Sequence, residues 1–224
     1  MDFDIPAELD AYLKELDQFI EDEIKPLENE NDNIRFFDHR REDARTDWER
    51  GGLPTEDWEA LLFEARTRAD KAGHYRFAMP KELGGKDGGN LAMAVIREHL
   101  ATKGLGLHND LQNEHSIVGN NVGVLLMAEY GSAEQKEEWL PLMLEGKRGF
   151  AFGITEPAHG SDATHMETNA VRDGDGWKIN GAKTWNTGIH KAQYDMVMAR
   201  TSGKAGDGDG ITAFLTPLDA EGAK

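Results

Sequence analysis

The sequence predicts an α+β fold, in which an all-helical N-terminal domain is followed by an antiparallel β domain. Up to about residue 145, apolar residues recur at steps of three and four, which is the period of a helix buried on one face. After Gly146 the pattern changes to short β-rich segments separated by Gly and Asp. Because the two patterns are too different to share one layer, the sequence predicts domains 1–147 and 148–224.

Capping residues mark the predicted helices of the first domain. Pro26 is expected to end the first helix, and Thr55 and Asn90 to cap two later ones. The last helix is predicted to begin with a capping box formed by Ser132 and Gln135. The predicted helices cover residues 4–27, 56–72, 90–104, 117–130 and 133–144.

Turn residues separate the strands predicted in the second domain. The sequence Asp-Gly-Asp-Gly at 173–176 is typical of a hairpin turn, and the loop 202–210 is expected to be flexible. The predicted strands cover residues 150–154, 168–171, 177–180, 182–187, 194–200 and 211–216. In the first domain, the charge-dense segment 28–52 is expected to be an exposed and partly helical excursion.

Composition excludes several classes of protein. The chain has 42 Asp and Glu against 25 Lys and Arg, a net charge of -17 that would repel nucleic acids and anionic lipid surfaces. Its mean hydropathy of -0.64 excludes an apolar run of the about 18 residues that a membrane span needs. It has no cysteine, hence no disulfide and no thiolate nucleophile. The N-terminus lacks a signal-peptide pattern, so the cytoplasm is the expected compartment.

Most standard catalytic and ligand-binding motifs are missing from the sequence. It contains no G-x-x-x-x-G-K-[ST], no G-x-S-x-G and no H-E-x-x-H, and segment 104–109 fails the dinucleotide fingerprint because it follows a helix. His159 and His165 lack the spacing of zinc ligands. Segment 207–210 resembles half of a calcium loop, but we expect a solvated turn. The sequence therefore predicts no metal site.

Two segments of the β domain carry motifs with chemistry. The first reads FGITEPAHGSD at 152–162, and the second reads INGAKTWNT at 179–187. Together they resemble the acyl-CoA dehydrogenase family, whose pattern is a strand ending in T-E-P, then G-x-G-S-D, then a hairpin into I-N-G-x-K-x-W-I-T. Both halves occur here in that order and at the expected separation.

The helical domain resembles the same family at three further motifs. They are MPKELGG at 79–85, HSI at 115–117, and YGSAEQK at 130–136 with WLP at 139–141. The five motifs follow the family order across the change from helices to strands, and the resemblance covers almost all of the chain. It implies a truncated acyl-CoA dehydrogenase-like architecture with FAD as cofactor and an acyl-CoA as substrate.

The resemblance also implies a flavin site on the β domain. An isoalloxazine ring is a flat π surface with polar edges, so its site needs an aromatic wall, which Trp185 fits, and donors, which the hydroxyls of Thr155 and Thr187 supply. Negative charge grows at the N1/O2 edge of a reduced flavin, where the Thr155 hydroxyl would stabilise it. By resemblance, the FAD-contacting residues are Phe152, Ile154, Thr155, Gly160, Ser161, Trp185, Asn186 and Thr187.

Ser161 is matched by the resemblance to the acyl-CoA entrance, where the preceding glycine lets the backbone approach a ligand closely. The simpler alternatives are that Ser161 caps a turn together with Asp162 and that Trp185 is a core aromatic of a strand. Glu156 and Asp162 lie at strand and turn ends, where carboxylates commonly serve as caps. Neither is predicted to be catalytic.

Two residues depart from the family pattern. The family turn G-A-G reads Ala158-His159-Gly160 here, so Ala158 would carry a strain of about 1 kcal/mol if that position needs a positive φ. Asn186 stands where many members have Ile, and the charged segment 28–52 is longer than usual. These departures leave the class of acyl group open.

The family reaction is α,β-dehydrogenation of an acyl-CoA thioester, with the hydride passing to flavin N5 and the α-proton to a glutamate. By resemblance that base lies beyond Lys224, and we expect the chain to be part of a longer polypeptide. The resemblance also implies a homotetramer or homodimer and an electron-transferring flavoprotein as electron acceptor. The alternatives are an acyl-CoA oxidase or flavin-dependent monooxygenase of the same fold, or a non-catalytic fragment that binds flavin or acyl-CoA.

Overall fold

A computed structural model describes residues 4–109, 116–119 and 121–223. The chain forms two compact units, Met1–Leu125 and Leu126–Lys224. The predicted order of helices followed by strands is confirmed, whereas the division into domains 1–147 and 148–224 stays a prediction. In the described part of the chain, no helix has the length and apolar character that a membrane span requires.

Helices α1 to α4 build the first unit around one apolar core. They are α1 (Ala7–Phe19), α2 (Lys25–Asn29), α3 (Glu56–Lys71) and α4 (Asn90–Thr102). Apolar side chains from each helix meet in this core, together with residues of the following loops. The most deeply buried are Leu16, Ile20, Ile24, Leu62, Ile96, Leu100, Leu107, Ile117 and Val118.

The first helical segment was predicted to stop near Pro26. In the structure it continues to Asn29. A π-helical turn, Ile20–Ile24, joins α1 to α2 and places Pro26 in the first turn of α2. Proline lacks an N–H and is tolerated in a first turn, where no intrahelical acceptor is needed. The wider π turn therefore lets the chain pass the proline without losing its helical course.

Segment 28–52 is only partly the exposed excursion that the sequence predicted. It forms 3₁₀ turns, Glu30–Phe37 and Glu42–Ala44, and the short strand β1 (Thr46–Asp47), which pairs with β2 (Leu53–Pro54). Trp48 is exposed, but Phe36 is buried with its ring centroid 5.1 Å from that of Trp58 in α3. The prediction was wrong at Phe36 because an isolated aromatic residue in a charged run carries no periodic signal.

Two predicted helix starts are corrected and two are confirmed. The side chain of Thr55 accepts from the Trp58 N–H, as predicted, but Asn90 is the first helical residue of α4, and its N-cap is Gly89 without a side-chain bond. Helix α5 (Val122–Tyr130) begins later than residue 117, because the Gly119 N–H donates to the Tyr75 carbonyl instead of a helical one. Helix α6 (Ala133–Leu144) begins with the predicted capping box.

The strands of the second unit form one mixed sheet. They are β3 (Phe150–Gly153), β4 (Asn169–Asp173), β5 (Gly176–Asn180), β6 (Tyr194–Arg200) and β7 (Ile211–Pro217). The β4–β5 and β6–β7 pairs are antiparallel, as predicted, but β3 and β4 run parallel to β6. Trp139 of α6 packs against the Tyr194 ring at the start of β6, with a centroid distance of 4.7 Å.

Two connecting segments differ from their predictions. Residues 182–187 are not a strand, since Thr187 makes only an isolated bridge with Phe152 and the segment otherwise folds against the loop after β3. Loop 202–210 was expected to be flexible, but the guanidinium of Arg200 donates to the carbonyls of Ser202, Asp207 and Asp209. The buried Arg200 side chain therefore holds the loop 202–210 in place, although the Gly and Asp content of the loop had predicted flexibility.

Candidate functional site

The structure brings the two motif segments of the β domain together. The Thr184 N–H donates to the Thr155 carbonyl over 2.9 Å, and Phe152 bridges Thr187. The strand end that carries Phe152, Ile154 and Thr155 thus lies beside the segment that carries Trp185, Asn186 and Thr187. These six residues of the predicted set lie on two segments in contact with each other, and together the segments form one region of the second unit.

A buried ion pair lies beneath this region. The Lys183 ammonium donates to the Ile154 carbonyl over 3.1 Å and to Oε1 of Glu156 over 2.9 Å, with only 6% and 4% of the two side chains exposed. Glu156 also accepts from the backbone N–H groups of Glu167 and Thr168, over 2.7 and 2.8 Å. Contrary to the expectation, Glu156 therefore does not cap its own turn but binds the backbone that leads into β4 and the side chain of Lys183, a residue that sequence reasoning had not singled out.

The surroundings of Glu156 hold it as a carboxylate. Burial by itself would raise its pKa, but the hydrogen bonds from the Glu167 and Thr168 backbone and from Lys183 lower the pKa to about 2. An acid with such a low pKa is a weak proton acceptor. The geometry therefore supports a structural role for Glu156 and not a catalytic one.

Trp185 points into solvent from a strained backbone. Its φ is 60°, in the left-handed region that non-glycine residues avoid, and its side chain is 85% exposed. Such a conformation costs of order 1–3 kcal/mol and persists only where the surroundings enforce it. The alternative that Trp185 is a core aromatic of a strand is wrong, because it is neither buried nor in a strand.

Asn186 faces away from solvent and binds a second buried carboxyl group. Its Nδ2 donates to Oδ2 of Asp195, the second residue of β6. Asp195 is 5% exposed, and burial raises its pKa, against the lowering effect of the Asn186 hydrogen bond and the Lys183 charge. Sequence reasoning missed Asp195, although an Asp inside an otherwise apolar strand is a signal that could have identified it.

Gly160 and Ser161 lie in the exposed loop that follows β3. A tight turn precedes them, in which the N–H groups of Glu156 and His159 each donate to the carbonyl of the other residue. Ala158 is not among the residues with positive φ, so the expected strain at this position does not arise. Asp162 accepts from the Thr164 hydroxyl and the His165 ring. It precedes the short 3₁₀ turn Ala163–His165 without a side-chain cap hydrogen bond, so the expected capping role is not seen at this residue.

Metal-binding groups also meet near this loop. Glu156, His159 and Glu167 place ligand atoms within 4.8 Å of one another. Each oxygen of Glu156 already accepts hydrogen bonds, and its charge is paired with Lys183. A cation would have to displace that pair, so the donors present do not favour a metal. In the helical domain, His115 of the HSI motif falls outside the described residues.

Comparison with known proteins places both parts of the chain in one family. The model of the acyl-CoA dehydrogenase N-terminal domain matches residues 6–147, and that of the middle domain matches residues 151–224. A glutaryl-CoA dehydrogenase of Desulfococcus multivorans is 29% identical over 227 residues, which cover 100% of this chain and 51% of the relative. The CarC subunit of the caffeyl-CoA reductase-Etf complex of Acetobacterium woodii is 35% identical over 152 residues, or 68% of this chain and 38% of the relative.

Solved structures agree with the sequence comparisons. A putative acyl-CoA dehydrogenase from Mycobacterium abscessus superposes with a TM-score of 0.70 at 27% identity, over 98% of this chain and 52% of that one. The chain thus spans about half the length of this structure and of the glutaryl-CoA dehydrogenase, and a smaller share of CarC. Since the two family models together match nearly all of its residues, the chain belongs to the acyl-CoA dehydrogenase family.

Proposed function

We propose that the protein carrying this chain is an FAD-dependent acyl-CoA dehydrogenase, which removes the α-proton and the β-hydride of an acyl-CoA thioester. The observation that supports this most directly is the convergence of the strand end at 152–155 with the exposed Trp185 and Thr187. The family membership and the dehydrogenases among its relatives agree with it.

The residues present fit a flavin. An isoalloxazine ring needs an aromatic surface, and the region exposes the Trp185 indole together with the half-exposed Phe152 ring. It also needs polar groups at its edges, for which the Thr155 and Thr187 hydroxyls are available. The flavin, when bound, supplies a hydride acceptor at N5.

The chain's own residues have binding and positioning roles in this proposal. Trp185 and Phe152 cover the ring, while the Thr155 hydroxyl donates to the edge that becomes negative on reduction. Thr187 donates its hydroxyl to the same ring. Ile154 and Asn186 lie on the same two segments, and the backbone of Asn186 is the part that faces the cofactor, because its side chain is bound to Asp195. The loop at Gly160 and Ser161 contacts the cofactor and admits the acyl-CoA, because its backbone is exposed and small residues leave room for a ligand.

We propose that the base that accepts the α-proton is not Glu156 and that it lies outside the residues of this chain. Glu156, the buried acid closest in sequence to the proposed flavin residues, has its charge paired with Lys183 and a pKa of about 2. A base near neutral pH needs a carboxylate with a higher pKa and access to the substrate. Glu156 offers neither of these properties.

The proposal extends to partners and compartment. CarC, a relative of this chain, is a subunit of a caffeyl-CoA reductase-Etf complex, which supports an electron-transferring flavoprotein as a redox partner. We propose that this partner is the electron acceptor here. We further propose a homotetramer or homodimer in the cytoplasm. The net charge of -17 supports the expectation that nucleic acids and membrane surfaces are not partners.

Anaerobic addition of acyl-CoA to the intact, FAD-loaded protein tests the proposal. A series of acyl-CoA thioesters is added without oxygen, and the flavin absorbance is followed. Bleaching by at least one thioester is the expected result, and absence of bleaching with every acyl chain would contradict the proposal. Rapid reoxidation by oxygen would indicate an oxidase instead, whereas FAD binding without bleaching would indicate a binding fragment.

A further inference from the structure

The backbone of Trp185 has a conformation that large side chains avoid. The other non-glycine residues with positive φ in the described part of the chain are Asn or Asp, whose short polar side chains tolerate the left-handed region. Trp185 has φ 60° and a solvent-exposed indole. Neither its residue type nor burial of its side chain holds it there, so contacts of its neighbours must supply the restraint.

On the N-terminal side, two residues bind the loop that follows β3. The Thr184 N–H donates to the Thr155 carbonyl over 2.9 Å, and the Lys183 ammonium donates to the Ile154 carbonyl over 3.1 Å. These bonds fix where the chain enters the left-handed residue. They leave its exit undetermined.

Two contacts hold the exit. Thr187 forms an isolated antiparallel bridge with Phe152 of β3, and Asn186, the residue directly after Trp185, donates from Nδ2 to Oδ2 of Asp195 in β6. The two side chains pack over the bare Cα of Gly153 in β3, where a Cβ would lie 2.7 Å from Asp195 Oδ2 and 2.9 Å from Asn186 Nδ2. Because β3 and β6 are paired strands, this hydrogen bond ties the residue after Trp185 to the sheet itself.

We propose that the Asn186–Asp195 pair is a positioning device that holds Trp185 in its left-handed conformation with the indole facing outward. The purpose of that conformation rests on the proposed function, in which the indole covers the flavin. Asp195 acts through Asn186 and Trp185 and is a positioning residue. Asn186 was predicted as a cofactor contact, but its side chain is engaged by Asp195.

The chemistry of the pair separates positioning from stability. Oδ1 of Asn186 and Oδ1 of Asp195 are both buried and have no hydrogen-bond partner among the described residues. Two apolar side chains of similar size would fill this space without leaving polar atoms unpaired. Replacing both residues is therefore expected to preserve the fold while releasing Trp185.

The test uses the intact protein labelled with 5-fluorotryptophan and observed by ¹⁹F NMR. The Trp185 resonance is assigned with Trp185→Phe, and the double variant Asn186→Leu/Asp195→Leu is compared with wild type. The Trp185 resonance is expected to move or broaden, while those of the buried Trp58 and Trp139 stay in place. An unmoved Trp185 resonance in the double variant would overturn the proposal.

Asp195→Asn is the matched conservative variant, because the new side chain keeps an acceptor oxygen for the Asn186 amide. We expect its Trp185 resonance at the wild-type position, and a displacement as large as in the double variant would count against the hydrogen bond. If the double variant does not fold, Asn186→Ala, which removes the Asn186 amide and leaves Asp195 in place, is measured in the same way, with the same expected and contradicting results.

Titration of FAD into the same variants separates this proposal from the proposed function. Loss of the restraint is expected to weaken FAD binding about tenfold in the double variant, since the indole is no longer pre-organised. If the wild-type protein binds no FAD, the proposed function fails. The NMR result does not depend on FAD and decides the positioning role in either case.

Discussion

Two buried carboxyl groups flank the Trp185 segment, and their surroundings shift their pKa values in opposite directions. Glu156 lies against Lys183 and two backbone N–H groups, and its pKa is lowered to about 2. Asp195 lies against the single amide of Asn186, and burial raises its pKa. The segment is therefore anchored at its start by the Lys183–Glu156 ion pair, in which both carboxylate oxygens accept hydrogen bonds. It is anchored at its end by the Asn186–Asp195 pair, in which two oxygens have no hydrogen-bond partner among the described residues.

The two carboxyl groups contribute differently to stability and to the placement of Trp185. A charge whose hydrogen bonds are all made stabilises the fold only as long as each partner stays in place. A polar pair that leaves buried oxygens without hydrogen bonds contributes little stability. We therefore assign the Asn186–Asp195 pair a role in positioning Trp185.

Lys183→Met removes the cation from the Glu156 network and should have the largest effect. It leaves a buried carboxylate without its countercharge, which costs about 3–5 kcal/mol in comparable buried pairs. Urea unfolding of the variant at pH 7 measures the loss. Lys178→Met, at an exposed lysine of β5, is the control and should stay within about 0.5 kcal/mol of wild type. A loss below about 1 kcal/mol at Lys183 would remove the contrast between the two anchors.

The free energy of unfolding should depend on pH through the ionisation of Glu156. Its pKa falls from 4.5 to about 2 on folding, so its contribution is present above pH 4.5 and is lost as the pH falls toward 2. The shift corresponds to about 3 kcal/mol. The free energy of unfolding of wild type minus that of Glu156→Gln is measured between pH 2 and 6. A difference that is flat over this range would contradict the ionic network.

Gly153→Ala should disturb the Asp195 anchor alone. The new Cβ would lie 2.7 Å from Asp195 Oδ2, so the pair must shift, at a cost of about 1–3 kcal/mol. Gly160→Ala is the matched control, because its Cβ would meet nothing within 4 Å and its φ is not left-handed. Thermal unfolding measures the stability of both variants. Equal losses of stability would show that the Asn186–Asp195 pair does not lie over Gly153.

Asp195→Asn should have the smallest effect and the opposite sign. A carboxyl whose pKa is raised on folding reduces stability as the pH rises from 3.8 through its folded pKa. The variant removes this decline and should be equal to or up to about 1 kcal/mol more stable than wild type at pH 7. Its advantage should shrink toward pH 3.8. Clear destabilisation at pH 7 would mean that the Asp195 charge supports the fold.

Much of the fold could be predicted because local signals determine it. The change from helical to strand periodicity, the Thr55 cap and the capping box at Ser132 all occur in the structure. The missed features depend on contacts between residues distant in sequence. Phe36 is buried only because Trp58 lies beside it, and β3 runs parallel to β6 although nothing in either strand indicates its direction.

The motif residues of the candidate site could be predicted from the sequence, but the buried contacts that hold these residues in place could not. The motifs identified the segments that carry Thr155 and Trp185, and the structure brings these segments together. Lys183 and Asp195 escaped notice because a lysine near a strand end and an acid in a strand acquire their roles only from buried partners. The left-handed backbone of Trp185 has no sequence signal, since tryptophan rarely adopts it.

In the proposed flavin site, the exposed indole of Trp185 forms one wall of the pocket for the ring. FAD titration of two variants of the intact protein measures the contribution of this wall. Trp185→Leu removes the proposed wall, and Trp177→Leu removes an aromatic of β5 that packs on Phe214 in the same sheet. Loss of the ring stacking and its buried area should weaken FAD binding about tenfold in Trp185→Leu and less than about twofold in Trp177→Leu. Equal FAD affinities in the two variants would contradict the account.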